Sequence, residues 1–142
     1  MSAEEPKAVV ELVGDDLFSG HTPSGHLVMI DTDRERNSAS SPMELLLVAL
    51  GSCTGVDVVS ILKKKREEVT AYSVEVRGQR RAEHPRSYRR MECITSSPVA
   101  TFQSAQWLRQ SNSPNKNTVA SPQTLRPTAE IVSSFEIIEA GV

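Results

Sequence analysis

Apolar and polar residues alternate weakly over positions 1–31, where KAVVELV (7–13) and GHLVMID (25–31) are strand candidates and GDD and HTPSG are turns. This predicts a meander of short strands. Positions 32–40, TDRERNSAS, carry no apolar anchor and predict a surface loop. The pattern then changes period. Ser41 is placed to cap a helix, Pro42 suits its first position, and Glu44 completes an S-x-x-E capping box. Every residue from Leu45 to Leu50 is apolar, more than a helix with one wet face tolerates, so the segment is expected to be enclosed on most sides. Lys63, Lys64, Lys65 and Arg66 favour the negative end of the helix dipole and close a helix of about 25 residues, roughly 38 Å long. Beyond it, TAYSVEVRGQRRAE (70–83) alternates with Tyr72, Val74 and Val76 on one face. TAEIVSSFEII (128–138) alternates again, with Ile131, Phe135 and Ile137 together. Two half-exposed strands are predicted.

Between these strands the composition breaks. No acidic residue occurs between Glu92 and Glu130, and the text is rich in Ser, Thr, Asn, Gln and Pro. SNSPNKNT reads as loop, and TFQSAQWLRQ offers only a weak helical face through Phe102, Ala105 and Leu108. Residues 92–124 are therefore expected to be poorly packed.

A chain of 142 residues fits one domain, 1–142, with a core that needs no metal or disulfide. The net charge of −2 gives no footprint for nucleic acid, which is not expected as a partner. The start, MSAEEPKAVVEL, lacks the basic and apolar regions of a signal peptide, and two cysteines make no disulfide framework, so a cytoplasmic location is expected. The run from Leu45 to Leu62 approaches membrane-spanning length, yet Ser52, Thr54, Asp57 and Ser60 interrupt it. A buried helix is the better reading, and no membrane partner is expected.

Chemistry centres on Cys53, which lies in the apolar helix between Gly51, Ser52 and Gly55. A free cysteine can serve merely as a small buried hydrophobe. A reactive one must reach the thiolate, which an apolar helix disfavours unless a cation compensates. Helical spacing groups Cys53 with Ala49, Val56 and Asp57, so the cation must come from elsewhere. His21, His26 and His84 form no compact ligand set and no CxxC occurs, so no metal is expected. The glycines near 51–55 lie within a helix signal and do not make a phosphate loop.

The text SPMELLLVALGSCTGVDVVSILKKK, with SGHLVMID before it and LRPTAEIVSSFEI at the end, resembles the OsmC/Ohr family, in particular its OsmC-like branch. The resemblance implies an α+β fold in which a long buried central helix is enclosed by antiparallel sheet in an interlocked homodimer. It also implies thiol-dependent reduction of organic hydroperoxides, with an external dithiol as reductant and no cofactor. Cys53 would be the peroxidatic thiol, oxidised to sulfenic acid. Arg34, Arg36 and Glu44 are the candidate activating partners. Gly51 and Ser52 would let another backbone approach closely. The alternative is a non-catalytic or vestigial OsmC-like binding protein in which Cys53 is only packed.

Two departures from the family pattern stand out. The family's acidic residue directly follows the helix-start proline, whereas Met43 holds that position here and Glu44 comes one later. A one-residue shift turns the carboxylate by about 100° around the helix, which makes Glu44 a cap in the first place. The family's second cysteine, in a KYCSV-like motif, is replaced by KNTVASPQT (116–124), and Cys93 lies far upstream in a segment resembling a strand edge. KNTVAS can be encoded so that a two-base offset reads Lys-Tyr-Cys-Ser-Val. A frameshift near Met91, compensated near Thr124, accounts for that and for the acid-free composition.

Overall fold

A computed structural model of the chain describes residues 5–97 and 129–137, without the side chains of Phe135 and Ile137. Two compact units result, Met1–Leu46 and Leu47–Val142.

In the first unit, strands β1 (Val9–Gly14), β2 (Leu17–His21) and β3 (Leu27–Asp31) form an antiparallel meander in sequence order. The predicted turns join them. Asp16 adopts φ +53° between β1 and β2, and Gly25 adopts φ +84° between β2 and β3, a conformation that glycine reaches without a Cβ penalty. The central strand β2 was not among the strand candidates, because Ser19 and Gly20 interrupt its apolar pattern just where they are buried.

The loop at 32–40 is mostly exposed, as expected, but it is built around a buried carboxylate. Asp31 Oδ2 accepts from Arg36 Nε at 2.9 Å, Ser38 N at 2.9 Å and Ser38 Oγ at 2.6 Å. Its Oδ1 accepts from Arg36 Nη2 at 2.7 Å and Asp33 N at 2.9 Å. Arg36 Nη2 also donates to the Asp15 carbonyl at 2.7 Å, tying the loop to the β1–β2 turn. The Arg36 guanidinium first, then the Ser38 hydroxyl, hold the Asp31 carboxyl far below the usual carboxylate range. A depressed carboxyl contributes stability that is complete above its unfolded value of about 3.9 and is lost as pH falls toward the folded value. Thermal midpoints of Asp31→Asn should thus lie below the parent by a constant margin above about pH 5, and the margin should narrow below about pH 4.

Helix α1 (Pro42–Lys64) starts where the sequence places it. Ser41 N and Ser41 Oγ each donate to Glu44 Oε2 at 2.7 Å, and Glu44 N donates back to Ser41 Oγ at 3.4 Å. At the other end Arg66 takes φ +60°, with Glu67 N donating to Leu62 O at 3.0 Å and Arg66 N to Lys63 O at 2.9 Å. These two bonds make a Schellman stop without glycine.

In the second unit, β4 (Ser73–Arg80), β5 (Tyr88–Ser97) and β6 (Glu130–Ile137) form a sheet in that order. β4 and β5 are antiparallel, whereas β6 runs parallel to β5, so this sheet is mixed. The predicted strands at 70–83 and 128–138 correspond to β4 and β6. The centre of the sheet, β5, was not predicted as a strand, because Arg89, Arg90 and Glu92 interrupt its apolar residues. Cys93 therefore sits in the middle of a central strand, paired with Val76 and Ser133, and not at a strand edge. The stretch expected to be poorly packed from residue 92 instead begins as strand, since 92–96 are paired with both neighbours and Ser97 with β6. The remainder of the expected poorly packed stretch, including KNTVASPQT, lies outside the described residues.

The helix rests on this sheet through its small residues. A Cβ on Gly51 would stand 2.9 Å from Val76 Cγ2, and one on Gly55 would stand 3.2 Å from Tyr72 Cε1. What approaches Gly51 among the described residues is thus a β4 side chain of the same chain. Ser52 instead donates its hydroxyl to Val48 O at 2.7 Å. Further along, Val58 and Leu62 form a core cluster with Val69 and Tyr72.

Candidate functional site around Cys53

Leu50, Gly51, Thr54, Val58 and Leu62 are buried, whereas Val48, Ala49, Ser52, Cys53, Val56 and Ser60 are exposed. At about 100° per residue the buried set faces the sheet and Ala49, Cys53, Val56 and Ser60 face away from it. Among the described residues the sheet covers one face of the helix. The opposite face keeps apolar side chains in the open, with Val56 at 68% exposure.

Cys53 is exposed on that second face, and so it is not packed among the described residues. The next residue, Thr54, points the other way. Its Oγ1 donates to Leu50 O at 2.9 Å, and it lies against Cys93 on β5. Cys93 is 1% exposed, and burial pushes its thiol up, against a smaller downward pull from the Thr54 hydroxyl. The two thiols therefore lie on opposite sides of the helix, one open to attack and one held protonated in the core. Burial likewise pushes the Tyr72 hydroxyl up.

The three candidate partners belong to the first unit, and Cys53 to the second. Glu44 is used as a cap, and its hydrogen bonds from Ser41 hold its carboxyl below the usual range. Arg36 is engaged by Asp31. Arg34 is exposed and makes no ion pair among the described residues. On the helix itself the next cation, Lys63, stands about 15 Å along the axis from Cys53, too far for contact.

Sequence reasoning missed a groove of ≈ 420 Å³ beside the helix, lined by Val48, Gly51, Gly55, Tyr72, Val74 and Val76 among others. The spacing of Gly51 and Gly55, one turn apart, is its sequence signal. It opens on the β4 side, so Cys53 does not line it. Among the described residues no group of His, Cys, Asp and Glu is placed to hold a metal ion.

A family model described as OsmC-like protein matches residues 35–125. Protein YhfA of Escherichia coli strain K12 is 40% identical over 82 residues, 58% of this chain and 60% of that protein. The chain thus spans about three fifths of the length of the curated relatives it matches. The crystal structure of a hypothetical protein from Aquifex aeolicus VF5 is 29% identical and superposes with a TM-score of 0.79, covering 98% of this chain and 100% of that one. An organic hydroperoxide resistance protein OsmC from Legionella pneumophila, 12% identical with a TM-score of 0.68, shares the fold over 96% of this chain and 100% of its own.

Proposed function

The chain belongs to the OsmC-like protein family, and from that premise we propose that it is a thiol-dependent reductase of organic hydroperoxides acting in oxidative stress defence, with Cys53 as its nucleophile. The observation that carries this reading is the exposure of Cys53 on an apolar helix face while Cys93 is buried. Ala49 and Val56 beside the thiol suit an organic substituent better than the proton of hydrogen peroxide.

The Cys53 thiolate attacks the distal peroxide oxygen. The O–O bond breaks, the alkoxide leaves and takes up a proton, and the sulfur becomes a sulfenic acid. The written sequence has two cysteines, and the buried one cannot reach Cys53. An external dithiol therefore performs both remaining steps. Its first thiolate displaces hydroxide from the sulfenic sulfur, and its second releases the Cys53 thiolate and leaves as a disulfide. Arg34 is the candidate cation for stabilising the thiolate, since Arg36 is engaged with Asp31. A reducing, cytoplasmic setting supplies such dithiols. The test is consumption of cumene hydroperoxide by the purified chain with dithiothreitol, and a rate equal to that of the dithiol alone would refute the reading.

The same proposal includes a homodimer, because a second copy is needed to cover the exposed face of α1. Sedimentation at micromolar concentration should show a dimer, and Val56→Glu should shift it toward monomer by burying an unpaired charge.

A further inference from the structure

The β4–β5 ribbon concentrates positive charge that the chain's net charge conceals. Six arginines, Arg77, Arg80, Arg81, Arg86, Arg89 and Arg90, fall between positions 77 and 90 against one carboxylate, Glu83, in a chain whose net charge is −2. Two of them are neutralised locally. Arg77 pairs with Glu75 at 2.6 Å and Arg90 with Glu130 at 3.4 Å. Arg80, Arg81, Arg86 and Arg89 form no ion pair among the described residues, and all four are exposed. The turn that carries them is tied across itself: Arg80 Nε donates to Arg86 O at 2.6 Å and Arg81 N to Ser87 O at 2.9 Å. Arg89 Nη2 reaches Gln79 Oε1 at 3.4 Å.

Solvated protein surfaces usually intersperse both signs of charge, whereas at the end of this ribbon, between the Arg77–Glu75 and Arg90–Glu130 pairs, four arginines face one carboxylate, Glu83. Guanidinium forks match phosphate oxygens in pairs. The exposed stretch from 79 to 87 offers three Arg, Gln, His and Ser and one carboxylate, Glu83, with Ala82 and Pro85 as its only apolar side chains. A protein partner is ordinarily anchored by an apolar centre, and a lipid surface by inserted apolar side chains. Neither anchor is present. Single strands are gripped by exposed aromatic platforms, yet Tyr88, the ribbon's phenolic ring, is buried over Gly78. Duplex nucleic acid can be held through its phosphates alone, and its major groove admits a two-stranded ribbon. We propose that the β4–β5 ribbon is a docking surface for the phosphate backbone of duplex nucleic acid, bound without sequence preference. Net charge averages over the chain, whereas phosphates meet one patch, so this proposal departs from the expectation drawn from net charge.

The test is fluorescence anisotropy of a labelled mixed-sequence DNA duplex titrated with the full chain. Binding should be micromolar at low salt and should weaken by about 40- to 150-fold between 50 and 200 mM salt, the range for three to four phosphate contacts. Arg81→Glu with Arg86→Glu should abolish it, whereas Arg81→Lys with Arg86→Lys should keep it within a few-fold, with hydroperoxide turnover unchanged in both. Should the charge-reversed chain fail to fold, Arg86→Gln must still flatten the salt dependence. Absence of binding at low salt, binding indifferent to these substitutions, or equal binding to polyglutamate or anionic vesicles would each overturn the proposal.

Discussion

Cys53→Ala should lower hydroperoxide turnover to the rate of the dithiol alone, a loss on the order of 10³-fold or more, as removal of a nucleophile does elsewhere. Cys93→Ala should leave turnover within about twofold, since a group that never meets substrate cannot change the chemical step. The contrast follows from where one helix turn points its neighbours. Cys53 is exposed, whereas Thr54, the next residue, packs against Cys93 in the core. Cys93→Ala should instead lower stability by about 1 kcal/mol, through loss of a small buried group. Initial rates with cumene hydroperoxide and thermal midpoints separate the two effects. Equal losses of activity in both variants would assign Cys93 a part in the cycle that its burial denies.

The largest effect on folding is expected at Gly78. A Cβ there would meet the Tyr88 ring and Leu47 Cδ2 well inside van der Waals contact. Leu47 is on the helix and Tyr88 on the adjacent strand, so Gly78 is where helix, β4 and β5 close on one another. Tyr88 is buried and has little room to retreat. Gly78→Ala should destabilise by about 2–3 kcal/mol, the upper part of the range for overpacked cores. For a chain of this size that corresponds to a fall in thermal midpoint of roughly 6–12 °C. Combining it with Tyr88→Ala should recover part of the loss, because the pair is coupled through direct contact. Strict additivity of the two changes would show that the strain lies elsewhere. Gly51→Ala makes a gentler companion. The helix gains about 1 kcal/mol in propensity, set against a clash with Val76, whose β-branched side chain is stiff.

The start of α1 was legible because local chemistry decides it: Ser41, Pro42 and Glu44 satisfy the first helical turn whatever surrounds it. β1, β3, β4 and β6 were legible from alternation or from turn residues at their ends. β2 and β5 were not, for a shared reason. Each is the central strand of its sheet, and its pattern reflects neighbours on both sides that are distant in sequence. Ser19 and Gly20 are buried in β2, and Thr95 and Ser97 in β5, although none is strongly apolar. Arg36 illustrates the same limit at the candidate site. Proximity to the helix made it a candidate for activating Cys53, but its engagement by Asp31 depends on a loop geometry that spacing does not encode. The glycines beside Cys53 mark a place of close approach in the sequence, and within the chain the groups that approach them are the side chains of Val76 and Tyr72.

The most direct test is to locate the first chemical product. The reduced chain is treated with one equivalent of cumene hydroperoxide in the presence of dimedone, which traps sulfenic acids, and is then digested and analysed by mass spectrometry. The account predicts a single dimedone adduct on the peptide containing Cys53, formed within the turnover time, with Cys93 unmodified. An unmodified Cys53, or an adduct found on Cys93, would contradict it.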